Sequence, residues 1–251
     1  MNPRYTVAQV LSDTGPILLD FDGPVCAVFA TLADFTVADE LRRVIDAHTV
    51  EIPGHIRAVD DPLEVLRFTA TIGTPWLVER VENELCRAEL TAVDGAKPTP
   101  YAREVIVAAY EAGRPIAIVS NNSAAAIERY LVAHRLARYI ATIVGRTHAN
   151  PSRMRPDPAP ILPAVQALDA EVAGCVLVGD SPADVEGALA AGVRSIGSAN
   201  KPGKRDLLVA AGAEATVEGT AGMADLARAL VDQEAQDMLD SEDMFGGTER
   251  V

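Results

Sequence analysis

The sequence predicts an α/β fold: a doubly wound parallel sheet with a small inserted helical domain. Three observations lead to this prediction. Several short runs are apolar throughout, helical segments lie between these runs, and one long helical block interrupts their alternation. Strands that are apolar along their whole length are typical of parallel sheets covered by helices on both faces. Alternation of strands and helices along a chain favours a doubly wound, Rossmann-like sheet.

The first predicted strand is the apolar run 17–19, which ends at Asp20 and Asp22. Later apolar runs predict strands at 115–120, 139–145, 175–180 and 193–197, with a shorter edge strand at 215–219. Helical patterns between these runs lie at 99–113, 123–136, 160–172 and 181–192. The first of these helices is expected to have Thr99 as its N-cap and Pro100 in its first turn, because both residue types favour those positions.

The block that interrupts the alternation is almost wholly helical. Apolar residues recur three and four positions apart in 28–48 and 75–92, which is the spacing of amphipathic helices. Between them, Asp61, Pro62 and Glu64 form a helix-start pattern. We therefore predict that a helical domain is inserted into an α/β domain after its first strand.

The predicted domain boundaries follow from these segments. The α/β core is expected to comprise residues 1–25 and 96–232, and the helical insertion residues 26–95. The acidic segment 233–251 is expected to be a frayed helix end followed by a disordered tail.

Composition limits the classes of partner. The 251 residues carry a net charge of −14, from 22 Lys and Arg against 36 Asp and Glu. Because binding to a phosphate backbone requires basic surfaces, we expect no nucleic-acid partner, although a local positive pocket can still bind a small anion. The three cysteines show no metal-binding spacing, and neither a signal-peptide pattern nor a membrane-spanning run is recognised. We expect a cytoplasmic protein with reduced thiols and no membrane partner.

Polar residues follow three of the predicted strands, and they raise the question of what holds them together. Asp20 and Asp22 follow the first strand, Ser120 ends the second and is followed by Asn121, and Asp180 ends another. Residues i and i+2 of a strand point to the same face, so Asp20 and Asp22 should repel each other unless a cation or a shared proton is present. Because ligands bind at the carboxyl ends of parallel strands, an all-oxygen site suited to Mg²⁺ is expected there, partly completed by a substrate phosphate.

Four segments in order resemble the motifs of the haloacid dehalogenase superfamily of hydrolases, and the chain is similar to its phosphoglycolate phosphatase-like members. These segments are Asp20-Phe21-Asp22-Gly23, Ser120-Asn121, Arg155-Pro156-Asp157-Pro158 and Gly179-Asp180-Ser181-Pro182-Ala183-Asp184. In that superfamily one large branch carries a cap domain where this chain has its helical insertion. The resemblance implies a cap at 26–95.

The resemblance also implies roles for individual residues. Asp20 is expected to be the nucleophile and Asp22 the general acid and base. Magnesium is expected to be held by Asp20, Asp180 and the backbone carbonyl of Asp22.

Phosphoryl oxygens are expected to contact Ser120, Asn121 and Arg155. Asp184 is expected to stabilise the start of a helix. It can also contact the residues that bind the metal without binding the metal itself.

Two positions depart from the family pattern. Pro24 stands where the family usually has Thr, and Arg155 stands where it has Lys. The charge at 155 is retained, but a planar guanidinium is not equivalent to an ammonium. Lys201 or Lys204 is an alternative source of an ammonium.

The function implied is a Mg²⁺-dependent phosphatase that hydrolyses a small phosphorylated metabolite through an aspartyl-phosphate. The cap is expected to close over the site and to select the substrate. Most of the cap arginines are expected to be solvated, although any of them could contact an anionic leaving group; they are Arg42, Arg43, Arg57 and Arg67. Two alternatives stay open, namely a phosphomutase on the same scaffold and a non-catalytic binding protein. The sequence predicts neither the substrate nor the oligomeric state.

Overall fold

The structure is a computed structural model that describes residues 3–48, 50–219 and 221–245. Its strands are β1 (Ile17–Leu19), β2 (Cys26–Ala27), β3 (Lys97–Pro98), β4 (Ile116–Val119), β5 (Thr142–Val144), β6 (Val176–Gly179), β7 (Arg194–Ala199) and β8 (Ala215–Glu218). Six of them form one parallel sheet in the order β5-β4-β1-β6-β7-β8. The predicted α/β fold with a parallel sheet is therefore confirmed.

The helices cover both faces of this sheet and form the insertion. They are α1 (Val7–Ser12), α2 (Asp34–Asp46), α3 (Gly54–Arg57), α4 (Pro62–Thr71), α5 (Pro75–Ala92), α6 (Ala102–Glu111), α7 (Ala124–Ala133), α8 (Ile161–Ala167), α9 (Pro182–Ala191), α10 (Lys204–Ala211) and α11 (Gly222–Phe245). Helices α2 to α5 lie between β2 and β3 in the chain.

Strand β1 lies at the centre of the sheet and is buried on both faces. Ile17 and Leu19 belong to one hydrophobic cluster, and Leu18 belongs to a second cluster with residues of α8. Successive side chains of a strand point to opposite faces, so a strand covered on both sides must be apolar at every position. This explains why the run does not alternate, and it places Asp20 at the edge where the buried strand ends.

The helical insertion has its own hydrophobic core. Apolar residues from α2, α4 and α5 form one cluster that includes Leu41, Leu66 and Leu85. Its first long helix begins at Asp34, six residues later than the pattern at 28–48 predicts. Before this helix, the short strand β2 pairs with β3 in antiparallel orientation. Cys26 lies opposite Pro98 and Ala27 opposite Lys97. The ends of the insertion are thus held together at the core.

Helix α6 begins at Ala102, with Tyr101 as its N-cap in the left-handed region at φ 64°, so Thr99 is not the N-cap. The Thr99 hydroxyl instead donates to the carbonyl oxygen of Gly23 at 2.5 Å. A long-range hydrogen bond has therefore taken the place of the local cap. It also supplies a hydroxyl beside Pro24, where the family pattern has Thr.

The C-terminal helix differs from the expected tail. Helix α11 continues to Phe245, so residues 233–245, expected to be frayed or disordered, are helical in the structure. The remaining part of the predicted tail, 246–251, lies outside the described residues. In the portion of the chain that the structure describes, no helix is both long enough and apolar enough to cross a membrane.

Candidate active site

The carboxyl ends of β1, β4 and β6 converge on one pocket. Asp20 follows β1, Ser120 follows β4 and Asp180 follows β6, and all three line the pocket. The three strands are direct neighbours in the sheet, so residues that are 60 to 160 positions apart in the sequence meet at its edge. The other predicted site residues also line this pocket: Asp22, Asn121, Arg155 and Asp184.

The Arg155 side chain connects two carboxylates at the bottom of the pocket. It is 3% exposed, and one guanidinium nitrogen donates to Asp20 Oδ1 at 2.6 Å while the other pairs with Asp184. Its Nε has no hydrogen-bond partner among the described residues. Arg155 therefore contacts the predicted nucleophile, and it keeps a buried N–H group that an oxygen of a bound anion can accept.

The backbone of Arg155 is held by Asn121. The Asn121 side-chain oxygen accepts a hydrogen bond from the Arg155 N–H at 2.9 Å, and its amide donates to the Arg155 carbonyl at 3.4 Å. The Asn121 side chain thus positions Arg155, and its backbone N–H and its second amide N–H stay available for the phosphoryl contact predicted from the sequence. From the insertion, Arg67 also donates to the Arg155 carbonyl, at 2.7 Å.

Lys204 contacts a different carboxylate from Arg155. Its ammonium pairs with Asp180 and donates to Asn200 Oδ1 at 3.1 Å, and Asn200 in turn donates to Asp180 Oδ2 at 3.0 Å. Of the three cations considered from the sequence, Arg155 and Lys204 therefore contact carboxylates of the site. Arg155 faces Asp20 and Lys204 faces Asp180.

Three carboxylates lie close enough together to share a divalent cation. One oxygen each from Asp20, Asp180 and Asp184 lies within 4.8 Å of the others. Gly23 has φ 110°, and a Cβ there would overlap the Asp180 carboxylate, so the backbone after Asp22 packs directly against Asp180. A buried set of carboxylate and carbonyl oxygens fits the preference of Mg²⁺ for oxygen ligands.

Burial raises the pKa of both Asp20 and Asp180 above the ordinary value of an aspartate. For Asp20, Arg155 opposes this shift while the neighbouring Asp184 and Asp180 add to it. For Asp180, Lys204 opposes the shift and Asp184 adds to it. Arg155 and Lys204 therefore do not fully compensate the negative charge of these carboxylates. A divalent cation can supply the remaining positive charge.

Asp22 has a different environment from Asp20. One of its carboxylate oxygens accepts the backbone N–H of Val28 at 3.0 Å, at the start of the insertion. Burial is the main cause that raises its pKa to about 6, and the Val28 hydrogen bond opposes this shift. A carboxyl with such a pKa is a suitable proton donor and acceptor near neutral pH.

Asp184 lies in the first turn of helix α9, as expected. Ser181 is the N-cap, and the two side chains form a capping box. Asp184 Oδ2 accepts the N–H groups of Asp180 and Ser181, both at 2.9 Å, while its other oxygen faces Arg155. The same side chain thus caps the helix and borders the carboxylate cluster.

Sequence reasoning gave no side-chain role to three polar residues around the turn between β4 and α7 (residues 120–123). These are Glu89, Asn122 and Arg146, which are all buried. Glu89 accepts the N–H of Ser123 at 3.0 Å, and Arg146 donates to the carbonyl of Asn121 at 2.6 Å. The available signal was that Arg146 follows β5 at the same sheet edge, whereas Glu89 lies in the insertion and comes near only in three dimensions.

The cap arginines do not supply positive charge to the pocket. Arg42 is buried and donates to the carbonyls of Ile56 and Val59, at 3.2 and 2.6 Å. Arg57 pairs with Asp46, and Arg67 pairs with Glu64 and contacts the Arg155 backbone. Among the described residues, Arg155 is the only Lys or Arg that lines the pocket, whose insertion side includes Phe29, Asp34, Asp61, Leu63 and Leu85. Of the four cap arginines, most of which were expected to be solvated, Arg43 and Arg57 are exposed, Arg67 is half-buried and Arg42 is buried.

The sequence model of the haloacid dehalogenase-like hydrolase family matches residues 62–198, which is more than half of the chain. A curated relative from Caldanaerobacter subterraneus subsp. tengcongensis, named as a candidate pyrophosphatase PpaX, is 32% identical over 94 residues. That match covers 38% of this chain and 42% of the relative's length, so less than half of the relative is represented.

Solved structures share the fold over almost their whole length. A structure described as a predicted phosphatase from Clostridium acetobutylicum matches with a TM-score of 0.65 at 16% identity, covering 87% of this chain and 99% of that one. A HAD family hydrolase from Deinococcus radiodurans R1, solved with bound phosphate and sodium, matches with a TM-score of 0.57 at 22% identity, covering 88% and 98%. At such identities the likeness shows the fold alone.

Proposed function

Because the chain belongs to the haloacid dehalogenase-like hydrolase family, we propose that it is a Mg²⁺-dependent phosphatase that hydrolyses a small phosphomonoester through a phosphoryl group on Asp20. The single observation that carries the proposal is the contact of the buried Arg155 guanidinium with Asp20 at the edge of the sheet. A nucleophilic carboxylate must remain ionised in a buried site, and Arg155 favours its ionised form.

In the first step, an oxygen of Asp20 attacks phosphorus and the bond from phosphorus to the ester oxygen breaks. The leaving oxygen takes the proton of Asp22, whose pKa of about 6 leaves part of the population protonated near neutral pH. Arg155 stays beside the reacting carboxylate, and its unpartnered Nε can donate to a phosphoryl oxygen.

In the second step, Asp22 accepts a proton from water, and the water oxygen attacks phosphorus. The bond from phosphorus to Asp20 breaks, which releases inorganic phosphate and restores the carboxylate. Apolar residues from the insertion, Phe29, Leu63 and Leu85, line the same pocket and limit the water that reaches it.

The residues that would hold Mg²⁺ are Asp20, Asp180 and the backbone carbonyl of Asp22, with Asp184 beside them. When bound, the ion supplies positive charge that neutralises the transferring phosphoryl group. Lys204, on the far side of Asp180, orients that carboxylate.

We propose that the substrate is a small phosphorylated metabolite whose leaving group does not depend on pairing with a cap arginine. The support is that Arg155 is the one Lys or Arg among the described pocket residues, and that it faces Asp20. A neutral, hydroxyl-bearing leaving group fits the mixed apolar and acidic insertion side better than one with several negative charges. We further propose that the protein acts in the cytoplasm, without a nucleic-acid or membrane partner.

The experiment is phosphate release from a panel of small phosphomonoesters and pyrophosphate, with Mg²⁺ and with EDTA, for the wild type and Asp20→Asn. We expect release that requires both the metal and Asp20. Release that is equal in the Asp20→Asn variant would refute the proposal. An isomerised phosphoester without free phosphate would instead identify a phosphomutase, and Mg²⁺-independent binding without turnover would indicate a binding protein.

A further inference from the structure

A cluster of three buried charges joins helix α5 of the insertion to the β4–α7 turn. The Arg146 side chain has no exposed surface. It donates through Nε to Glu82 at 2.9 Å and through Nη1 to Glu89 at 2.7 Å. The two glutamates are seven residues apart and both are buried, so they share one face of the helix. Nothing in the proposed chemistry uses this cluster.

The two glutamates differ in what else they contact. Glu89 accepts the N–H of Ser123 at 3.0 Å and the side-chain amide of Asn122 at 3.3 Å, so it holds the turn directly. Glu82 accepts hydrogen bonds from Arg146 and from the thiol of Cys86, the latter at 3.3 Å, and its second carboxylate oxygen has no partner among the described residues. Of the two glutamates, Glu89 is therefore the one that contacts the turn.

Arg146 holds the turn through its backbone as well as its side chain. Its N–H donates to the Asn122 carbonyl at 2.8 Å, and its guanidinium donates to the Asn121 carbonyl at 2.6 Å. A Cβ at the preceding Gly145 would lie 2.5 Å from the N of Ala124, which shows how closely the two backbones pack. The carbonyls of the turn are thus fixed by a charged donor in a site without exposed surface.

Hydrogen bonds connect the turn to the reacting groups. Asn122 exchanges hydrogen bonds with the Ser120 hydroxyl, at 3.1 and 3.3 Å. Asn121 holds the backbone of Arg155, whose guanidinium contacts Asp20. A continuous chain of hydrogen bonds therefore connects Glu89 to Ser120 and Arg146 to Asp20.

We propose that Glu89 and Arg146 are positioning residues that fix the β4–α7 turn for binding of the phosphoryl group. This inference rests on the proposed phosphatase function. Buried ion pairs contribute little net stability, because desolvation of the charges offsets their attraction. Precise placement of the donors around a phosphoryl group, in contrast, determines how well the site binds it.

The test compares Glu89→Gln with Glu82→Gln as a matched control. Both substitutions remove one negative charge from the same buried cluster and the same helix face, but only Glu89 touches the turn. Inorganic phosphate is the probe: we would measure its inhibition constant and its direct binding by calorimetry, with Mg²⁺, next to the melting temperature of each variant.

We expect Glu89→Gln to weaken phosphate binding by about tenfold, the usual effect of losing a hydrogen bond to a charged group. Glu82→Gln should change phosphate affinity by less than about twofold at a similar loss of melting temperature. If both variants lose phosphate affinity in proportion to melting temperature, or if Glu89→Gln binds phosphate like the wild type, the positioning role is refuted.

A second variant keeps the test decisive if Glu89→Gln does not fold. Asn122→Ser shortens the side chain that connects Glu89 to Ser120 and leaves all three charges in place. It should also weaken phosphate binding by about tenfold, and unchanged affinity would contradict the inference. Failure of the proposed function is distinguishable, because the wild type would then neither release phosphate nor bind it.

Discussion

For single residues, the chemistry depends on which cation or donor each carboxylate around Asp20 contacts. Asp20 and Asp184 share Arg155, whereas Asp180 is held by Lys204 and Asn200. Asp22 belongs to neither group, because its carboxylate accepts the backbone N–H of Val28. The two carboxylates of the first motif thus have separate environments, which is what two different chemical roles require.

For Asp22, we predict that Asp22→Asn slows phosphate release by about a hundredfold or more, because positioned acids and bases contribute 10²–10⁴-fold. Binding of Mg²⁺ should be retained, since the proposed ligand from this residue is its backbone carbonyl. Calorimetric titration with Mg²⁺ checks this, with Asp180→Asn as the variant expected to lose the metal. Loss of metal binding in Asp22→Asn would contradict the assignment.

For Arg155, we predict that Arg155→Lys retains activity within about tenfold, or roughly 1.4 kcal/mol of transition-state stabilisation. An ammonium keeps the charge beside Asp20 but does not reach Asp20 and Asp184 with two separate nitrogens. Phosphate-release rates of Arg155→Lys and Arg155→Gln give the comparison. Equal inactivation of both variants would show that the guanidinium fork itself is required.

At the scale of elements, the insertion is attached to the core close to the reacting groups. Met154 follows β5 in the chain, yet its side chain is 2% exposed and lies in the hydrophobic cluster of α2, α4 and α5. The next residue is Arg155, and Arg67 of α4 donates to its carbonyl. The position of the insertion is therefore coupled directly to the arginine that contacts Asp20.

We predict that Met154→Ala lowers the free energy of unfolding by about 2–5 kcal/mol, the usual range for removing a buried Met side chain. It should also lower the rate of phosphate release, because the segment before Arg155 loses its contact with the insertion. Urea unfolding and rate measurements test this, with the exposed Leu207→Ala as control. A loss as small as that of the control would contradict the coupling.

The sequence predicted the elements with the strongest patterns. Strand β1 and helices α4 and α5 lie where the apolar runs and the helix-start residues place them, because those signals are local. The start of α6 and the start of α2 were misplaced, since Thr99 and the residues after Val25 form long-range contacts that no local pattern encodes.

The same limit applies to the candidate site. Asp20, Ser120 and Asp180 were found because they end strands, and parallel strands bring their ends together. In the sequence, Glu89 has the pattern of any polar residue in an amphipathic helix. Its contact with Ser123 follows only from the packing of α5 against the core. Lys204 was named as an alternative to Arg155, and the structure places both cations at the site, on different carboxylates.

At the scale of the whole molecule, the structure separates the parts that form the site from the end of the chain. The buried hydrophobic side chains described in α11 are Met223, Leu226, Ala227 and Leu230, which belong to the main hydrophobic cluster. No described residue between 231 and 238 is buried. Among the side chains that the structure describes in α11, those that pack on this cluster therefore lie in its first three turns.

We predict that a chain ending at Asp232 folds and keeps its activity. The melting temperature should change by less than about 4 °C, which corresponds to less than about 1 kcal/mol for a domain of this size. Thermal melts and phosphate-release rates of the shortened and full chains test this. A larger fall in melting temperature would show that residues 233–251 contribute to folding.

In the proposed mechanism, Asp20 carries the phosphoryl group during turnover. The most direct measurement is acid quenching of the Asp22→Asn variant during turnover of its best phosphoester, followed by peptide mass spectrometry. We predict that the peptide containing Asp20 gains the mass of one phosphoryl group, and that Asp20→Asn shows no such peptide. A phosphoryl group on another residue, or full turnover by Asp20→Asn, would contradict the mechanism.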